Sequence, residues 1–365
     1  MNLVENKYNC TGCSSCEKVC PSSAIKMRED AKGFLYPEII NKYCTNCGIC
    51  KKNCPILARK TSENNEQEIY AMKNKNENIR ATSSSGGFFY EYAKTILEQN
   101  GTIYGAAYNV FNEVEHIRID NIEDLYKLQG SKYIQSVINN SYNDAKADLE
   151  KGLKVLFSGT PCQIDGLKAF LNRKKINIEN LYTCDIICHG VPSPKVFRDY
   201  LKDLEEKYNS KIKKVNFRHK ENSHTQNIKI DFENGESYVS NYNQKDNFYR
   251  LFLQDIILRE SCYECRYANF DRVGDITLGD FWGIEKTIEN FDDKKGVSLV
   301  LVNTKKGKEI FEKIKENFQI EKTCKENCMQ RNLQKPVDQI KNYDELWENY
   351  LSNGYEKILE EIKYE

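Results

Sequence analysis

Residues 10–21 read CTGCSSCEKVCP, and residues 44–55 read CTNCGICKKNCP. Both runs follow the pattern Cys-x2-Cys-x2-Cys-x3-Cys-Pro, so eight thiols fall into two matched sets. A zinc ribbon needs only four ligands, and neither zinc nor a disulfide scaffold explains why the Cys-x3-Cys-Pro step occurs twice. Proline ends each run because it lacks the N–H that would continue the turn. The repeat therefore predicts one small module with two metal centres.

The spacing of the repeat indicates two 4Fe-4S clusters that exchange ligands. In the run typical of bacterial two-cluster ferredoxins, three cysteines bind one cluster and the fourth binds the other. This exchange predicts a first set of Cys10, Cys13, Cys16 and Cys54 and a second set of Cys44, Cys47, Cys50 and Cys20. Residues 24–27 and 33–37 are apolar and predict a short hairpin with Gly33 at its turn. We expect a ferredoxin-like domain over residues 1–60.

Charge and length limit the possible functions of the chain. The 365 residues suffice for two or three domains. The 54 Lys and Arg residues balance 54 Asp and Glu residues, which excludes a strongly basic nucleic-acid binder. Residues 1–60 alone hold ten Lys or Arg against five Asp or Glu. This local excess offsets the negative charge of all-thiolate clusters and suits the docking of an acidic donor such as a ferredoxin.

The sequence predicts a cytoplasmic protein. Its first residues lack the apolar segment of a signal peptide, and no run of 18 apolar residues predicts a membrane span. Fifteen cysteines without a secretion signal argue against disulfides and for a reducing compartment. Because exposed 4Fe-4S centres tolerate oxygen poorly, we expect the host to be an anaerobe.

Beyond a polar linker at residues 61–67, strand-turn-helix units recur and predict an α/β sheet with functional loops at the carboxyl ends of its strands. The segment from Thr82 to Gly87 precedes a helix that starts at Phe88. Its small residues and the free N–H groups of the helix predict a phosphate cradle. The alternative is an ordinary serine-capped helix with a glycine turn.

Several later cysteines are candidate ligands. Cys162 lies in the first turn of a predicted helix, which suits a nucleophile or a metal ligand, although a structural buried cysteine is the alternative. Cys262 and Cys265 form a Cys-x2-Cys pair that two further thiols must complete. Cys162 with either Cys184 or Cys188 would do so, and a third 4Fe-4S cluster fits better than zinc. Cys324 and Cys328 have helical spacing but no partner pair, and we expect them not to be ligands.

Six motifs then occur in a fixed order along residues 68–340: Ser84-Ser85-Gly86-Gly87-Phe88, Gly130-Ser131-Lys132-Tyr133, Gly159-Thr160-Pro161-Cys162-Gln163, His189-Gly190-Val191-Pro192-Ser193-Pro194, Cys262-x2-Cys265 and Leu278-Gly279-Asp280-Phe281-Trp282-Gly283. With them the chain resembles the coenzyme F420 hydrogenase/dehydrogenase beta subunit family, with an added two-cluster ferredoxin domain. The resemblance implies a flavin enzyme that holds FAD and one further 4Fe-4S cluster. Such an enzyme passes electrons between iron-sulfur carriers and a deazaflavin or other acceptor.

The resemblance also implies roles for individual residues. Contact with the flavin or its diphosphate is implied for Ser84, Ser85, Gly86 and Gly87, and a place beside the isoalloxazine for Lys132 and Tyr133. The third cluster would be bound by Cys162, Cys188, Cys262 and Cys265, with Cys184 as the rival of Cys188. Lys132 and His189 are the candidates for acid-base roles, and the alternative for each is a flavin hydrogen bond or a structural turn.

We therefore expect an α+β or α/β multidomain protein: a ferredoxin-like two-cluster domain followed by a mixed α/β flavin-binding catalytic unit that is not a Rossmann fold. Residues 68–150 and 151–320 would form its two parts, and residues 321–365 a helical tail. The expected function is that of an iron-sulfur flavoprotein oxidoreductase with an organic or deazaflavin-like acceptor, either as a homo-oligomer or within a complex. The alternatives are an electron-transfer subunit of a larger hydrogenase or dehydrogenase without its own substrate, and a non-redox iron-sulfur sensor.

Overall fold

The computed structural model describes residues 3, 7–58, 67–220, 227–241, 243 and 246–362. The linker predicted at 61–67 lies outside these residues except for Gln67. The Gln67 side chain donates to the Phe270 carbonyl at 3.1 Å and to the Asn303 side-chain oxygen at 2.7 Å. Gln67 therefore marks the point at which the chain joins the larger unit.

The N-terminal module has a two-stranded sheet and three short helices. Its elements are β1 (Ile25–Glu29), β2 (Leu35–Ile39), α1 (Ser15–Val19), α2 (Ile49–Asn53) and α3 (Pro55–Ala58). The two strands pair antiparallel, and Gly33 between them has a φ of +88°, which favours glycine. The predicted hairpin is confirmed. The repeat in sequence is also a repeat in structure, because α1 and α2 both begin after a left-handed residue, Ser14 or Gly48.

An eight-stranded mixed sheet forms the centre of the larger unit. Its strands are β3 (Glu68–Asn74), β4 (Thr102–Tyr108), β5 (Val114–Ile119), β6 (Val155–Gly159), β7 (Leu181–Ile186), β11 (Ile276–Asp280), β12 (Ser298–Val302) and β13 (Phe318–Thr323). They follow the order β13-β3-β12-β11-β7-β6-β4-β5. The four strands β4, β6, β7 and β11 run parallel, and the others are antiparallel to their neighbours. Strands from both predicted parts therefore share one sheet.

A second sheet packs beside the first. It has the order β10-β9-β8, with β8 (Ile212–His219), β9 (Asn227–Phe232) and β10 (Ser237–Asn241). The α-helices of the larger unit are α4 (Glu77–Thr82), α5 (Phe88–Leu97), α6 (Ser141–Glu150), α7 (Pro161–Arg173), α8 (Pro194–Tyr208), α9 (Asn247–Leu253), α10 (Glu260–Tyr263), α11 (Lys305–Ile314), α12 (Tyr343–Asn353) and α13 (Tyr355–Leu359). Short 3-10 helices lie at Lys7–Asn9, Leu125–Lys127, Ile284–Lys286, Lys315–Asn317, Lys325–Cys328 and Arg331–Leu333.

Two strand-to-helix turns fix the loops at one edge of the large sheet. Pro161 is the first residue of α7, and the Thr160 N–H donates to the Gln163 side-chain oxygen at 3.0 Å. Pro194 is likewise the first residue of α8, whose Val196 N–H donates to the Ser193 hydroxyl at 3.1 Å. Proline at the first helical position and a polar residue before it are typical of helix starts. Because β6, β7 and β11 are parallel, the loops after all three strands meet at the same edge of the sheet.

The hairpin of the N-terminal module packs into the core of the larger unit. Phe34 and Tyr36 are buried in one apolar cluster with residues of α8, α9, α12 and the second sheet. At the tip of the hairpin, a Cβ on Gly33 would lie 2.5 Å from the Lys195 backbone nitrogen. The two units therefore form one packed body rather than two linked domains.

The C-terminal segment differs from the helical tail predicted for residues 321–365. Strand β13 continues to Thr323 and pairs antiparallel with β3 at the edge of the large sheet, and helix α12 begins only at Tyr343. Phe318 at the start of β13 is buried in the core. The prediction was wrong for the first residues of the tail, because the unpaired edge of β3 favours a strand there.

Gly86 allows a close backbone contact, and its replacement tests the packing of this turn. A Cβ at Gly86 would lie 2.2 Å from the Met72 carbonyl oxygen. We expect Gly86→Ala to lower the free energy of unfolding by about 3 kcal/mol, the upper end of overpacking costs. At Gly235 (φ +90°) nothing lies within 4 Å of the Cβ position, so Gly235→Ala should cost only the left-handed strain of about 1 kcal/mol. Denaturant unfolding measures both, and equal losses would contradict the packing.

Candidate functional site

The structure brings cysteines from the two runs of the N-terminal repeat close to one another. Burial raises the pKa of Cys16 well above its ordinary value, and the neighbouring Cys13, Cys10 and Cys54 raise it further. These four thiols are therefore close enough to interact. Burial also raises the pKa of Cys50, with contributions from Cys20 and Cys47, while Cys44 lies in the same loop. Each set thus joins cysteines from both runs of the repeat.

The two N-terminal sets differ in their distance from solvent. Cys16 and Cys54 of the first set are buried, whereas Cys47 of the second set is exposed. The pKa of Cys47 is lowered, first by the Ile49 backbone N–H and in part by the Arg173 guanidinium. The second set is therefore the one nearest the surface.

A third set of thiols lies where the loops at the sheet edge meet helix α10. Burial raises the pKa of Cys188 well above its ordinary value, and Cys262, Cys162 and Cys265 raise it further. Burial and the neighbouring thiols also raise the pKa of Cys162 to about 11 and that of Cys262 to about 12. In addition, the Val191 N–H donates to the Cys262 sulfur at 3.4 Å. These four cysteines come from three separate segments of the chain.

Cys184 and Cys188 occupy different environments. Cys184 lies within β7, is 1% exposed and packs in the apolar cluster that contains α5 and α11. Burial raises its pKa, and the neighbours that contribute are Asp185 and Asp275 rather than another thiol. The structure therefore groups Cys188, and not Cys184, with the cysteines of the third set.

Cys324 and Cys328 lie apart from these sets. Cys324 is exposed, while the buried Cys328 donates its thiol to the Cys324 carbonyl at 3.4 Å.

In the described part of the chain, no group of three or more His, Cys, Asp or Glu side chains has the arrangement that would hold a single metal ion.

A cavity of about 370 Å³ opens at the carboxyl ends of β6, β7 and β11. It brings together most of the residues singled out from the sequence. Its walls include Ser84, Ser85, Gly87, Lys132, Tyr133, Cys162, Cys188 and His189. Gly86 does not line it and instead packs on the sheet, where its N–H donates to the Ser298 hydroxyl at 2.9 Å. Two cysteines of the third set therefore share one cavity with the predicted cradle.

The cradle itself is made of backbone rather than of serine hydroxyls. The Ser84 hydroxyl accepts from the Ser131 N–H at 2.7 Å, and the Ser85 hydroxyl donates to the Val297 carbonyl at 2.8 Å. Gly87, with a φ of +90°, is the N-cap of α5 and gives it no side-chain cap. The alternative of a serine-capped helix is therefore wrong. The backbone N–H groups in the first turn of α5 remain as donors toward the cavity.

Lys132 is held inside its own loop. Its ammonium donates to the carbonyls of Lys127 and Gln129, both at 2.9 Å. Burial lowers its pKa to about 7, because the charged form loses solvation. Lys132 at the cavity wall therefore loses its proton more readily than an exposed lysine does.

His189 is fixed by a carboxylate. Its Nε2 lies 2.7 Å from the Asp255 carboxylate, and its ring meets the edge of Phe252 at a centroid distance of 4.9 Å. The Arg331 guanidinium donates to the other Asp255 oxygen at 3.1 Å. This set of contacts fixes the orientation of the imidazole at the cavity wall.

The sequence did not single out two other buried groups of the cavity. Arg218 on β8 donates to the Asp280 carboxylate at 2.5 Å, to the Tyr133 hydroxyl at 3.0 Å and to the Ser84 carbonyl at 2.8 Å. His116 lies 2.7 Å from the Ser136 hydroxyl and 2.9 Å from the Ser158 carbonyl, and burial lowers its pKa to about 4. Asp280 stands in the last of the six motifs, but no sequence signal pairs it with Arg218.

Comparison with known families follows the same division of the chain. Residues 9–58 match the family described as 4Fe-4S dicluster domain. Residues 152–327 match the family described as the C terminus of the coenzyme F420 hydrogenase/dehydrogenase beta subunit. The resemblance inferred from the sequence is confirmed. Over these two ranges the chain is similar to an iron-sulfur dicluster domain and to the F420 hydrogenase/dehydrogenase beta subunit.

A chain of the F420-reducing [NiFe] hydrogenase complex from Methanosarcina barkeri is similar to this protein. The two are 17% identical with a TM-score of 0.48, over 82% of this chain and 92% of that chain. No curated protein matches the sequence. No helix in the described ranges is long and apolar enough to cross a membrane.

The lowered pKa of Lys132 predicts a pH dependence of stability. Its pKa is about 7 in the folded protein and about 10.4 in an unfolded chain. Between these values the unfolded chain binds a proton that the folded protein does not, so stability contributed by this group rises with pH. We expect the free energy of unfolding of the wild type to rise from pH 7 to pH 9.5 relative to that of Lys132→Met.

Lys213, which is exposed on β8, provides the control. Denaturant unfolding of Lys213→Met should give a pH profile parallel to that of the wild type. If Lys132→Met also follows the wild type in parallel, Lys132 is charged in the folded protein and the assigned burial effect is wrong.

Proposed function

We propose that the chain is an iron-sulfur flavoprotein oxidoreductase. Electrons would pass between three 4Fe-4S clusters and FAD, and on to or from an organic or deazaflavin-like acceptor. The observation that carries the proposal is that Cys162 and Cys188 line the same cavity as Ser84, Lys132 and Tyr133. A cluster on the third set would thus stand at the wall of the flavin pocket.

The order of the cysteine sets supports an electron path through the chain. Cys50 of the second set contributes to the raised pKa of Cys54 in the first. Cys162 of the third set contributes to the raised pKa of Cys13 in the first. The first set therefore adjoins both others. Electrons would enter near Cys47 at the surface, cross the first set and reach the third.

The cavity has features that suit FAD. Its volume of about 370 Å³ lies in the range of small-molecule sites, and the N-terminus of α5 offers backbone N–H groups to a diphosphate. When bound there, FAD would convert between one-electron and two-electron transfer. Lys132 would supply or hold a proton near neutral pH, and the Asp255 carboxylate would keep His189 oriented for the same task. Arg218 would hold Tyr133 and the turn at Ser84 in place beside the isoalloxazine ring of FAD.

A second function is favoured by the name of the matched family, which is that of a beta subunit. The chain would then pass electrons within a larger hydrogenase or dehydrogenase complex without its own substrate. Reduction of a small acceptor by the purified chain alone would separate the two functions. In either case we infer a reducing cytoplasm and an anaerobic host, because exposed 4Fe-4S centres tolerate oxygen poorly and Cys47 is exposed.

Iron content tests the ligand sets. Three 4Fe-4S clusters give about twelve iron atoms, and we expect these with one FAD after anaerobic reconstitution. Cys188→Ser should leave about eight iron atoms because one cluster loses a thiolate. Cys184→Ser is the matched control and should keep all twelve. Iron assay and electron paramagnetic resonance (EPR) measure the outcome, and loss of iron from Cys184→Ser alone would reverse the assignment.

The surface around Cys47 suits an acidic electron-carrier protein such as a ferredoxin. Exposed cations lie on two segments: Lys42, Lys51 and Lys52 of the module, and Arg173, Lys174 and Lys175 at the end of α7, of which Arg173 lowers the pKa of Cys47. Residues 41–58 and 168–178 contain no Asp or Glu. Tyr43 and Leu57 add apolar area, with exposures of 52% and 50%. Exposed apolar groups together with charges of one sign are typical of docking sites for carriers of opposite charge.

Charge reversal tests this surface. We expect Lys51→Glu/Lys52→Glu to slow reduction by a reduced acidic ferredoxin about tenfold at low ionic strength, because electrostatic steering is lost. The difference should vanish at high salt. Lys213→Glu/Lys214→Glu on β8 makes the same change at a distant exposed site and should have little effect. Stopped-flow rates that are equal in the two variants would reject the docking surface.

A further inference from the structure

A buried arginine lies between the first and third cysteine sets. Arg259 has no exposed surface. Its guanidinium donates to the Cys10 carbonyl at 2.7 Å, to the Leu35 carbonyl at 2.9 Å and to the Gln135 side-chain oxygen at 3.0 Å. It also stacks over the Tyr36 ring at 4.1 Å. All of these partners are neutral, so they hold the guanidinium in place but do not balance its charge.

The neighbouring carboxylate of Glu260 is already paired with another cation. Glu260 forms an ion pair with Lys32 at 2.6 Å and accepts from the Tyr36 hydroxyl at 3.1 Å. Within the described ranges, no carboxylate forms an ion pair with Arg259. An isolated buried charge is costly, and buried charges in proteins are normally paired or bound to metal sites. The positive charge of Arg259 must therefore be balanced by an anion that lies close to it in the assembled protein.

Segments that carry cysteines contact Arg259 on two sides. On one side, its hydrogen bond to the Cys10 carbonyl fixes it to the loop of the first set, and a Cβ on Gly12 of that loop would lie 3.0 Å from the guanidinium. On the other side, the Arg259 carbonyl accepts from the Cys262 N–H at 2.8 Å, and the Arg259 N–H donates to the Val191 carbonyl at 3.0 Å. Arg259 is therefore bonded to the segments that carry cysteines of both the first and the third set.

We infer that Arg259 is a shared counter-cation of the first and third cluster sites and raises the reduction potentials of both. The inference rests on the proposed function. A 4Fe-4S cluster with four thiolates is an anion, and reduction adds one further negative charge. A cation buried beside it stabilises the reduced form more than the oxidised form. Arg259 is therefore a positioning and tuning residue between two carriers rather than a catalytic residue.

Redox titration of anaerobically reconstituted protein, followed by EPR, tests the inference. In Arg259→Met we expect the ratio of reduced to oxidised cluster at a given potential to fall at least tenfold at two clusters, a drop of about 59 mV for a one-electron couple. The cluster of the second set should keep its potential. Arg259→Lys, which retains the charge, should lie closer to the wild type than Arg259→Met.

The control is the double variant Lys32→Met/Glu260→Gln, which removes a neighbouring ion pair without changing the net charge. It should leave all three potentials in place. If Arg259→Met keeps its iron but moves no potential, or moves all three equally, the inference is wrong. If Arg259→Met loses its clusters, the test uses Arg259→Lys instead. A tenfold fall in the ratio of reduced to oxidised cluster in Arg259→Lys, which keeps the charge, would show that the charge does not set the potentials. A wild type with only eight iron atoms would instead overturn the proposed third cluster.

Discussion

The contact between helix α7 and the loop that carries Cys13 determines how the two units of the protein meet. Gly166 on α7 has no side chain, and a Cβ there would lie only 3.1 Å from the Cys13 sulfur. Cys162 lies one turn earlier on the same helix. One helix therefore carries a cysteine of the third set and packs directly against a cysteine of the first. The Pro161 start and the Thr160–Gln163 cap fix where this helix begins.

Buried arginines hold the segments around this contact. Arg259 joins α10 to the loop and hairpin of the N-terminal module. Arg272 pairs with Asp185 at 3.3 Å, with both side chains buried, and donates to the Tyr267 carbonyl at 2.7 Å. It thereby ties the segment after Cys265 to the end of β7. Arg218 does the same for the cavity, where it links the second sheet to the turn before α5. Breaking a buried ion pair of this kind typically costs about 3–5 kcal/mol.

Local patterns predicted much of the fold. The hairpin at Gly33 and the helix with Cys162 in its first turn depend on neighbouring residues, and the structure has both where the sequence predicts them. The mixed α/β character of the larger unit also follows from recurring strand-turn-helix patterns. The structure places Ser84, Ser85 and Gly87 at the cavity, but the serine hydroxyls bond to partners distant in sequence, which the sequence did not indicate.

Long-range pairing accounts for what the sequence could not show. Strand β7 ends at Ile186, so Cys184 lies within the strand and Cys188 lies beyond its end. The apolar residues around Ile186 do not show in the sequence where the strand ends. The partners of Arg259 lie more than 120 positions away in the chain, and Arg218 reaches Ser84 over a similar separation. The strand β13 also depends on a distant partner, since it pairs with β3. Such contacts leave no periodic signal in a single sequence.

The central claim is that three cysteine sets hold three clusters in a row from the surface at Cys47 to the cavity. The most direct measurement is anomalous diffraction at the iron edge from crystals of anaerobically reconstituted protein. The account predicts three iron peaks, with the first-set peak between the others and the third bound by Cys162, Cys188, Cys262 and Cys265. Two peaks only, or a third peak at Cys184, would contradict it.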